Sequence, residues 1–346
     1  MTVPRIDLYS DTQTRPTPGM RCAMAEAEVG DEQRGEDPTV NRLTEKVSKL
    51  LGKEAAVFLP SGTMCNEIAY RVHCERGDEI ILDKTGHALH FEAGAPAVLA
   101  GAMTRAVAGT NGIFTAEQVT AAIRQPNRYH PRSRLLSVEN TSNLGGGAVW
   151  PIARIGEVTA AARENGLATH MDGARLLNAV VASGISAADY AAPFDSVWID
   201  LSKGLGAPVG AVLAGSSEFI DRAWRFKHQF GGAMRQSGII AAAGLYALDK
   251  HVGRLADDHT TARRFAQTLA QISGIRIDPD DVETNMVYFE ISASDLDAQE
   301  VAERLLERGV RIGAVDRYRM RAVTHLDVDR SGVEEAAEVL SNVMSL

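Results

Sequence analysis

One lysine in this chain stands where covalent chemistry with a carbonyl is plausible on physical grounds. Lys203 follows the apolar, β-prone run 195–202, and glycines and a proline come directly after it. Burying an ammonium group is expensive, so a lysine in such a place gives up its proton readily and suits Schiff-base formation. The alternative is a lysine at a strand end whose long side chain reaches water. Lys203 alone leaves both interpretations open.

A second apolar run delivers an aspartate to its end. Asp172 closes the strand-like segment 168–172, and Arg175 follows three residues later. Asp172 and Lys203 are 31 residues apart, about the length of one βαβ unit. Two such strand ends would face the same crevice at the carboxyl edge of a parallel sheet. The alternative is a local ion pair between Asp172 and Arg175.

The segment 54–66 has the pattern of a strand, a tight turn and a helix start. Ser61, Gly62 and Thr63 would place backbone N–H groups and two hydroxyls at the helix N-terminus, which suits a phosphate. Simple N-capping is the alternative. A Schiff-base lysine, an acidic partner for a pyridinium nitrogen and a phosphate site together describe a site for pyridoxal phosphate.

Histidine and arginine residues supply further candidates. His87 follows a predicted strand and could stack on the cofactor ring and transfer protons, or it could be a surface or capping histidine. His90 is expected to be structural, and Glu92 could act as an acid, orient a water or be solvated. An arginine can bind a substrate carboxylate through two hydrogen bonds. Arg321, on a predicted strand that faces either solvent or the cleft, is the first candidate for this contact, and Arg175 is the second.

Composition limits the classes of function. The net charge of −9 argues against nucleic-acid or anionic-membrane partners, since both need a basic face. Three scattered cysteines, Cys22, Cys65 and Cys74, predict free thiols in a reducing cytoplasm. The first residues lack the order of a signal peptide, and no apolar run is long enough to span a membrane. No cluster of residues predicts a metal.

The pattern of short β-like runs alternating with helical ones predicts an α/β fold. We expect a mainly parallel sheet covered by helices on both faces. A chain of 346 residues should contain one large and one smaller domain. We predict an N-terminal segment near the active site (1–14), a large cofactor-binding domain (15–248) and a small α+β domain (249–346). The predicted strands of the large sheet are 55–59, 79–82, 104–108, 134–138, 167–171, 196–201 and 209–214.

Taken in order, these motifs resemble the low-specificity L-threonine aldolases, in the β-eliminating lyase branch of fold type I pyridoxal phosphate enzymes. The resemblance covers nearly the whole chain. Besides the residues above, it includes the segments 6–14, 35–38, 60–64, 139–141, 231–236 and 323–325.

The resemblance implies roles for named residues. Lys203 would bind the cofactor covalently, Asp172 would pair with its ring nitrogen, and His87 would stack on the ring. The implied phosphate contacts are Ser61, Gly62, Thr63 and, from a neighbouring subunit, Arg235. The implied substrate-carboxylate contacts are Ser10, Arg175 and Arg321. The family also implies a homotetramer or homodimer with sites at an interface, acting on a small amino acid.

The implied reaction is a retro-aldol cleavage of a β-hydroxy-α-amino acid to glycine and an aldehyde. His87, or a water held by His87 and Glu92, would remove the hydroxyl proton. The chain departs from the family pattern at Tyr9, Arg34 and Leu144, and above all at Ser142, where the family usually has histidine. Serine does not titrate near neutral pH, so a β-eliminating lyase or transaldolase is the nearest alternative. A non-catalytic relative that binds pyridoxal phosphate is a further alternative.

Overall fold

A computed structural model describes residues 3–292 and 296–345 of the protein. The strands are β1 (Ile6–Asp7), β2 (Ala55–Leu59), β3 (Glu79–Asp83), β4 (Met103–Val107), β5 (Ser133–Glu139), β6 (Ala168–Gly173), β7 (Ser196–Asp200), β8 (Ala211–Gly215), β9 (Ile275–Arg276), β10 (Met286–Ile291), β11 (Val310–Arg311), β12 (Gly313–Ala314) and β13 (Arg319–Val323). The α-helices are α1 (Pro18–Ala25), α2 (Pro38–Leu51), α3 (Gly62–His73), α4 (His87–His90), α5 (Ala116–Ala122), α6 (Ile152–Glu164), α7 (Leu176–Ser183), α8 (Ala187–Ala191), α9 (Ser217–Gln229), α10 (Gly238–Lys250), α11 (Leu255–Leu269), α12 (Ala298–Glu307) and α13 (Arg330–Met344).

The largest sheet has seven strands in the order β2-β8-β7-β6-β5-β3-β4. Neighbours from β7 to β4 run parallel, whereas β8 runs antiparallel to both β2 and β7. The prediction of a mainly parallel sheet is therefore confirmed. All seven predicted strands form, with ends shifted by at most two residues. One shift concerns the site, because β7 ends at Asp200 and Lys203 lies in the turn beyond it rather than at the strand end.

Alternate side chains of these strands bury on opposite faces, as the pleat of a strand requires. Val197 and Ile199 of β7 join the larger core, beneath the face covered by helices such as α2, α6 and α10. Trp198, between them, joins a separate core with α3 and α9. Helices therefore cover both faces of the sheet, which explains why its central strands are almost continuously apolar.

A second core forms from the C-terminal part of the chain. Helices α11, α12 and α13 pack against the antiparallel sheet β12-β13-β10-β9. The N-terminal segment joins this core, because β1 pairs with β11 and Leu8 is fully buried there. The exact domain boundaries stay a prediction. None of the helices in the described ranges has the length and apolar character needed to cross a bilayer.

Candidate active site

The C-terminal ends of β5, β6 and β7 bring several predicted residues to one edge of the sheet. Asp172 of β6 lies in register with Glu139 of β5 and with Trp198 of β7. Lys203 follows β7, and its Nζ lies 3.3 Å from Oδ2 of Asp200. Only 15% of the Lys203 side chain is exposed, so the lysine does not extend into solvent.

The carboxylate of Asp172 is buried and held by two hydrogen bonds. Asn66 Nδ2 donates to Oδ2 at 2.9 Å, and the backbone N–H of Ala174 donates to Oδ1 at 3.0 Å. Burial raises the pKa of Asp172 above its ordinary value, although the charges of His87 and Lys203 and the Asn66 bond oppose the rise. Its partners are thus an amide and a backbone group, and the alternative of an ion pair with Arg175 does not form.

Arg175 pairs instead with Asp11 from the N-terminal segment. Its Nε and Nη2 donate to the two carboxylate oxygens of Asp11 at 2.7 and 2.6 Å, and both residues are buried. Burial alone would raise the pKa of Asp11, but Arg175 holds it well below its ordinary value. Two nitrogens of Arg175 are therefore already used, which leaves only part of the guanidinium for the predicted contact with a substrate carboxylate.

His87 and Glu92 form the acid–base part of the site. The ring Nδ1 of His87 lies 2.8 Å from Oε1 of Glu92, and Asn66 Nδ2 donates to the same oxygen at 2.7 Å. One ring nitrogen of His87 and one carboxylate oxygen each of Glu92 and Asp172 lie within 4.8 Å of one another. Burial lowers the pKa of His87, but the Glu92 hydrogen bond and nearby carboxylates outweigh this and leave it raised. His90 stands apart, with its ring bonded only to the backbone oxygen of Lys84.

The start of α3 has the N-cap that the sequence predicted, and its phosphate-binding role stays a prediction. The Ser61 hydroxyl accepts from the N–H of Met64 at 3.2 Å, so the N-cap is present. The N–H groups of Gly62 and Thr63 have no partner within the helix, as at every helix N-terminus, and can still bind an anion. A Cβ on Gly62 would lie 2.2 Å from the Trp198 ring. Glycine at this position therefore lets the helix start pack directly on β7.

The remaining predicted residues lie in different surroundings. Arg321 of β13 donates to Asn143 Oδ1 at 2.9 Å and to the backbone oxygen of Tyr9 at 3.2 Å, so its half-buried side chain lies between the turn after β5 and the N-terminal segment. The Ser10 hydroxyl accepts from Thr12. The side chain of Arg235 is 62% exposed and pairs with Asp31, and among the described residues no hydrogen bond or ion pair joins it to residues 61–63.

Ser142 pairs with Ala148 at the base of a tight turn, 143–146, beside this network. It lines a small cavity together with His87, Glu139 and Asp172. A Cβ on Gly112 would lie 1.9 Å from the Ser142 hydroxyl, and one on Gly145 would lie 2.5 Å from it. The backbone of these two glycines therefore confines residue 142 closely.

Sequence reasoning missed the residue that links the site together. Asn66 donates to Asp172 and Glu92, while its oxygen accepts from Trp198 Nε1 at 2.7 Å. It lies four residues after Gly62, so helical geometry places both on one face of α3. Asp11, Glu67 and Glu139 were also not predicted. Glu139 accepts the backbone N–H groups of His87 and Asn143, both at 3.0 Å, and so fixes the position of His87.

Comparison with known proteins agrees with the geometry. The profile of the beta-eliminating lyase family matches residues 7–292. A low specificity L-threonine aldolase of Escherichia coli K12 is 43% identical, over 96% of this chain and 97% of the relative. Low-specificity L-threonine aldolase 1 of Arabidopsis thaliana is 40% identical, over 99% of this chain and 98% of the relative.

The fold also matches solved structures. A threonine aldolase of Leishmania major superposes with a TM-score of 0.83 at 20% identity, over 98% of this chain and 99% of that chain. A Sphingomonas wittichii serine palmitoyltransferase superposes with a TM-score of 0.77 at 16% identity, over 98% of this chain and 86% of that chain. The resemblance read from the motifs is confirmed, and this chain belongs to the β-eliminating lyase family.

Proposed function

We propose that this protein is a pyridoxal-phosphate-dependent aldehyde-lyase. It cleaves β-hydroxy-α-amino acids of the L-threonine or L-allo-threonine type to glycine and an aldehyde. The observation that carries the proposal is the meeting of Lys203, Asp172 and the His87–Glu92 pair at one sheet edge. The names of relatives that are 40% and 43% identical agree with this reaction.

The residues present have the chemistry that pyridoxal phosphate requires. Lys203 supplies an amine, and Asp172 supplies a buried carboxylate for a pyridinium nitrogen. The first N–H groups of α3 suit the phosphate. When bound, the cofactor accepts the electron pair released as the substrate Cα–Cβ bond breaks.

The acid–base step belongs to His87. With Nδ1–H donated to Glu92, the second ring nitrogen, Nε2, is left unprotonated and can take the proton of the substrate β-hydroxyl. Loss of that proton lets the carbonyl of the aldehyde form as the Cα–Cβ bond breaks. His87 can return the proton it took, which reaches Cα to complete glycine and leaves the imidazole neutral again. Glu92 is almost fully buried and both its oxygens face protein, which favours His87 itself over a water held between the two residues.

The charged groups of the cleft would orient the substrate. Arg321 has guanidinium donors beyond those bonded to Asn143 and Tyr9, and it lies where the two cores meet. We assign it the substrate carboxylate, with Ser10 and the free nitrogen of Arg175 as further contacts. An arginine is suited to this because its planar donors match a carboxylate.

A second copy of the chain completes this proposal. Arg235 is exposed, and its ion-pair partner is Asp31 rather than a residue at the start of α3 in its own chain. It is therefore free to reach the phosphate site of a neighbouring subunit in a homodimer or homotetramer. We also propose a cytoplasmic location, in keeping with the three free cysteines.

Product analysis by NMR tests the function. Purified protein with added pyridoxal phosphate is offered L-threonine, L-allo-threonine and L-phenylserine separately. We expect glycine and the matching aldehyde. Lys203→Ala should abolish turnover and the borohydride-reducible link to the cofactor, whereas His90→Asn should retain both. Full activity in Lys203→Ala would refute the central assignment, and a protein inactive from the outset would favour the non-catalytic relative.

The serine at position 142, where the family usually has histidine, favours a second candidate function, that of a β-eliminating lyase or transaldolase. A 2-oxo acid and ammonia among the products would establish elimination. Gly112 and Gly145 pack closely against the Ser142 side chain. We therefore predict that Ser142→His does not increase aldolase activity. Forcing a larger side chain into a packed site costs about 1–3 kcal/mol, so we expect a lower unfolding temperature and no faster threonine cleavage.

Ser142→Ala is the matched control for this substitution. It removes only the hydroxyl and should unfold close to the wild-type temperature. A stable Ser142→His variant with faster cleavage of threonine would show that the turn opens, and that residue 142 can act on the substrate hydroxyl.

A further inference from the structure

Behind the His87–Glu92 pair lies a glutamate for which the proposed mechanism has no use. Glu67 of α3 is 1% exposed. Neither of its carboxyl oxygens has a hydrogen-bond donor, and it makes no ion pair in the described ranges. An ionised carboxylate is very unfavourable in such surroundings unless it is paired. The charge state of Glu67 therefore needs an explanation.

Glu92 also has a buried oxygen without a hydrogen-bond donor among the described residues. Its Oε1 accepts from Asn66 and His87, but its buried Oε2 has no donor. Glu67 directly follows Asn66, whose amide reaches Glu92 Oε1 at 2.7 Å, so the two carboxyl groups lie in the same buried region and Glu92 acts on the pKa of Glu67. As long as both are carboxylates, neither can donate to the other. A single proton placed between them would give Glu92 Oε2 its missing donor and remove one buried charge.

The surroundings decide which glutamate carries the proton. Asn66 and His87 both stabilise a negative charge on Glu92, whereas no group donates to Glu67. Burial and the charge of Glu92 raise the pKa of Glu67 to about 9. The arrangement of donors therefore favours a shared proton on Glu67 and the negative charge on Glu92.

The other groups near the pair agree with this distribution. His87 and Asp172 lie on the Glu92 side, within the cluster described above. Tyr70, one turn along α3, has its pKa raised well above the ordinary value by burial and nearby carboxylates, so it stays neutral. Its hydroxyl pairs with Ser137 at 3.2 Å rather than with either glutamate. Helix α9, on the other side of α3, buries Lys227, but that lysine is bonded to Glu32.

We propose that Glu67 is a neutral carboxylic acid that donates to Glu92 Oε2 and thereby holds Glu92 as the charged partner of His87 Nδ1. Glu67 is then a positioning residue for the base, and this role rests on the proposed function through His87. The shared proton itself does not depend on that function, so it can be tested on its own.

The direct test is a carboxyl titration. The full chain, loaded with pyridoxal phosphate and also without it, is labelled with ¹³C at the glutamate Cδ and followed by NMR from acid to alkaline pH. We expect one carboxyl carbon with a midpoint near 9, lost in Glu67→Gln. Glu164→Gln, at an exposed position of α6, should leave that signal in place. If the signal lost in Glu67→Gln titrates near the ordinary value of 4.5 instead, the proposal is overturned.

Two substitutions separate positioning from simple packing. Glu67→Gln keeps a neutral donor of the same shape, so kcat and the imidazole titration of His87 should stay close to wild type. Glu67→Leu removes the donor, and we expect kcat to fall about 10-fold with KM nearly unchanged, a part of the 10²–10⁴-fold that a general base supplies. Equal losses in both variants, with an unchanged His87 titration, would overturn the positioning role.

The outcome is independent of the product assay. A midpoint near 9 can be observed in a protein that fails to cleave threonine, and cleavage can occur in a protein whose Glu67 is ionised. A failure of this inference and a failure of the proposed function therefore give different results.

Discussion

Asp11 and Glu67 are both buried acids beside the proposed active site, yet only Asp11 has a cation. Arg175 contacts both oxygens of Asp11, and Asn285 donates to one of them at 3.2 Å. Glu67 has no hydrogen-bond donor or cation among the described residues, and the charge of Glu92 acts on it. Burial acts on both acids in the same direction, but the net pKa shifts are opposite, downward for Asp11 and upward for Glu67.

The difference separates two ways of keeping acids inside a protein. The Asp11–Arg175 pair is balanced in charge and does not titrate near neutral pH, so it suits the task of fixing the N-terminal segment on β6 and α7. The Glu67–Glu92 pair carries one proton for two carboxyl groups and contacts a histidine. It therefore belongs to the part of the site that exchanges protons.

The largest change in stability is expected when Asp11 loses its charge and Arg175 its ion-pair partner. Asp11→Asn would leave the buried guanidinium of Arg175 without its charge partner, and removal of one member of a buried ion pair costs about 3–5 kcal/mol. The folded-state pKa of Asp11 is lowered, so its contribution to stability is present above the ordinary value of 3.8 and is lost as pH falls. Urea unfolding at pH 7 measures the loss of stability, and repeating it at pH values below 3.8 measures its dependence on pH.

Asp7→Asn is the matched control, because Asp7 pairs with Arg311 in a partly exposed position. We expect a loss within the 0–1 kcal/mol found for exposed ion pairs. Similar losses in the two variants would contradict the claim that burial makes the Asp11–Arg175 pair exceptional.

A smaller effect, on the reaction rate, is expected when Glu92 of the Glu67–Glu92 pair loses its charge. Glu92→Gln keeps an acceptor for His87 Nδ1 but removes the negative charge that supports its raised pKa. We expect the pKa of His87 to fall and the acidic limb of the pH–rate profile to move to lower pH. The plateau rate should drop about 100-fold, within the range that acid–base groups supply.

The same variant should also act on Glu67. Its pKa is raised first by burial and then by the charge of Glu92, so Glu92→Gln should move the alkaline carboxyl midpoint downward. An unchanged midpoint together with an unchanged acidic limb would show that Glu92 is not the group that links Glu67 to His87.

Sequence patterns predicted one class of site residue well. Asp172 and Lys203 follow runs of apolar residues, and the ends of parallel strands meet at one sheet edge whatever the details of packing. The start of α3 was predictable for a similar reason, because a serine and a glycine before a helical run mark an N-terminus. Local pattern and topology were sufficient for these positions.

The hydrogen-bond partners of these residues were not predictable in the same way. Arg175 and Asp11 are 164 positions apart, and Asn66 and Asp172 are 106 positions apart. Which side chains meet over such distances depends on how the helices pack. One signal was available, since Asn66 and Glu67 are adjacent polar residues between Cys65 and Ile68 in a helix that is otherwise apolar along this stretch.

A further effect is a change in how the free energy of unfolding depends on pH. The folded-state pKa of Glu67 is raised from 4.5 to about 9, so the stability present below 4.5 is lost as pH rises towards 9. Glu67→Gln does not titrate and lacks this loss. We expect its free energy of unfolding relative to wild type to rise between pH 5 and 8, by up to about 1.4 kcal/mol per pH unit. Asp11→Asn should show no such trend in this range, since Asp11 is ionised throughout it. Parallel stability curves for wild type and Glu67→Gln would mean that Glu67 is charged in the folded protein, and the contrast between the two buried acids would then be wrong.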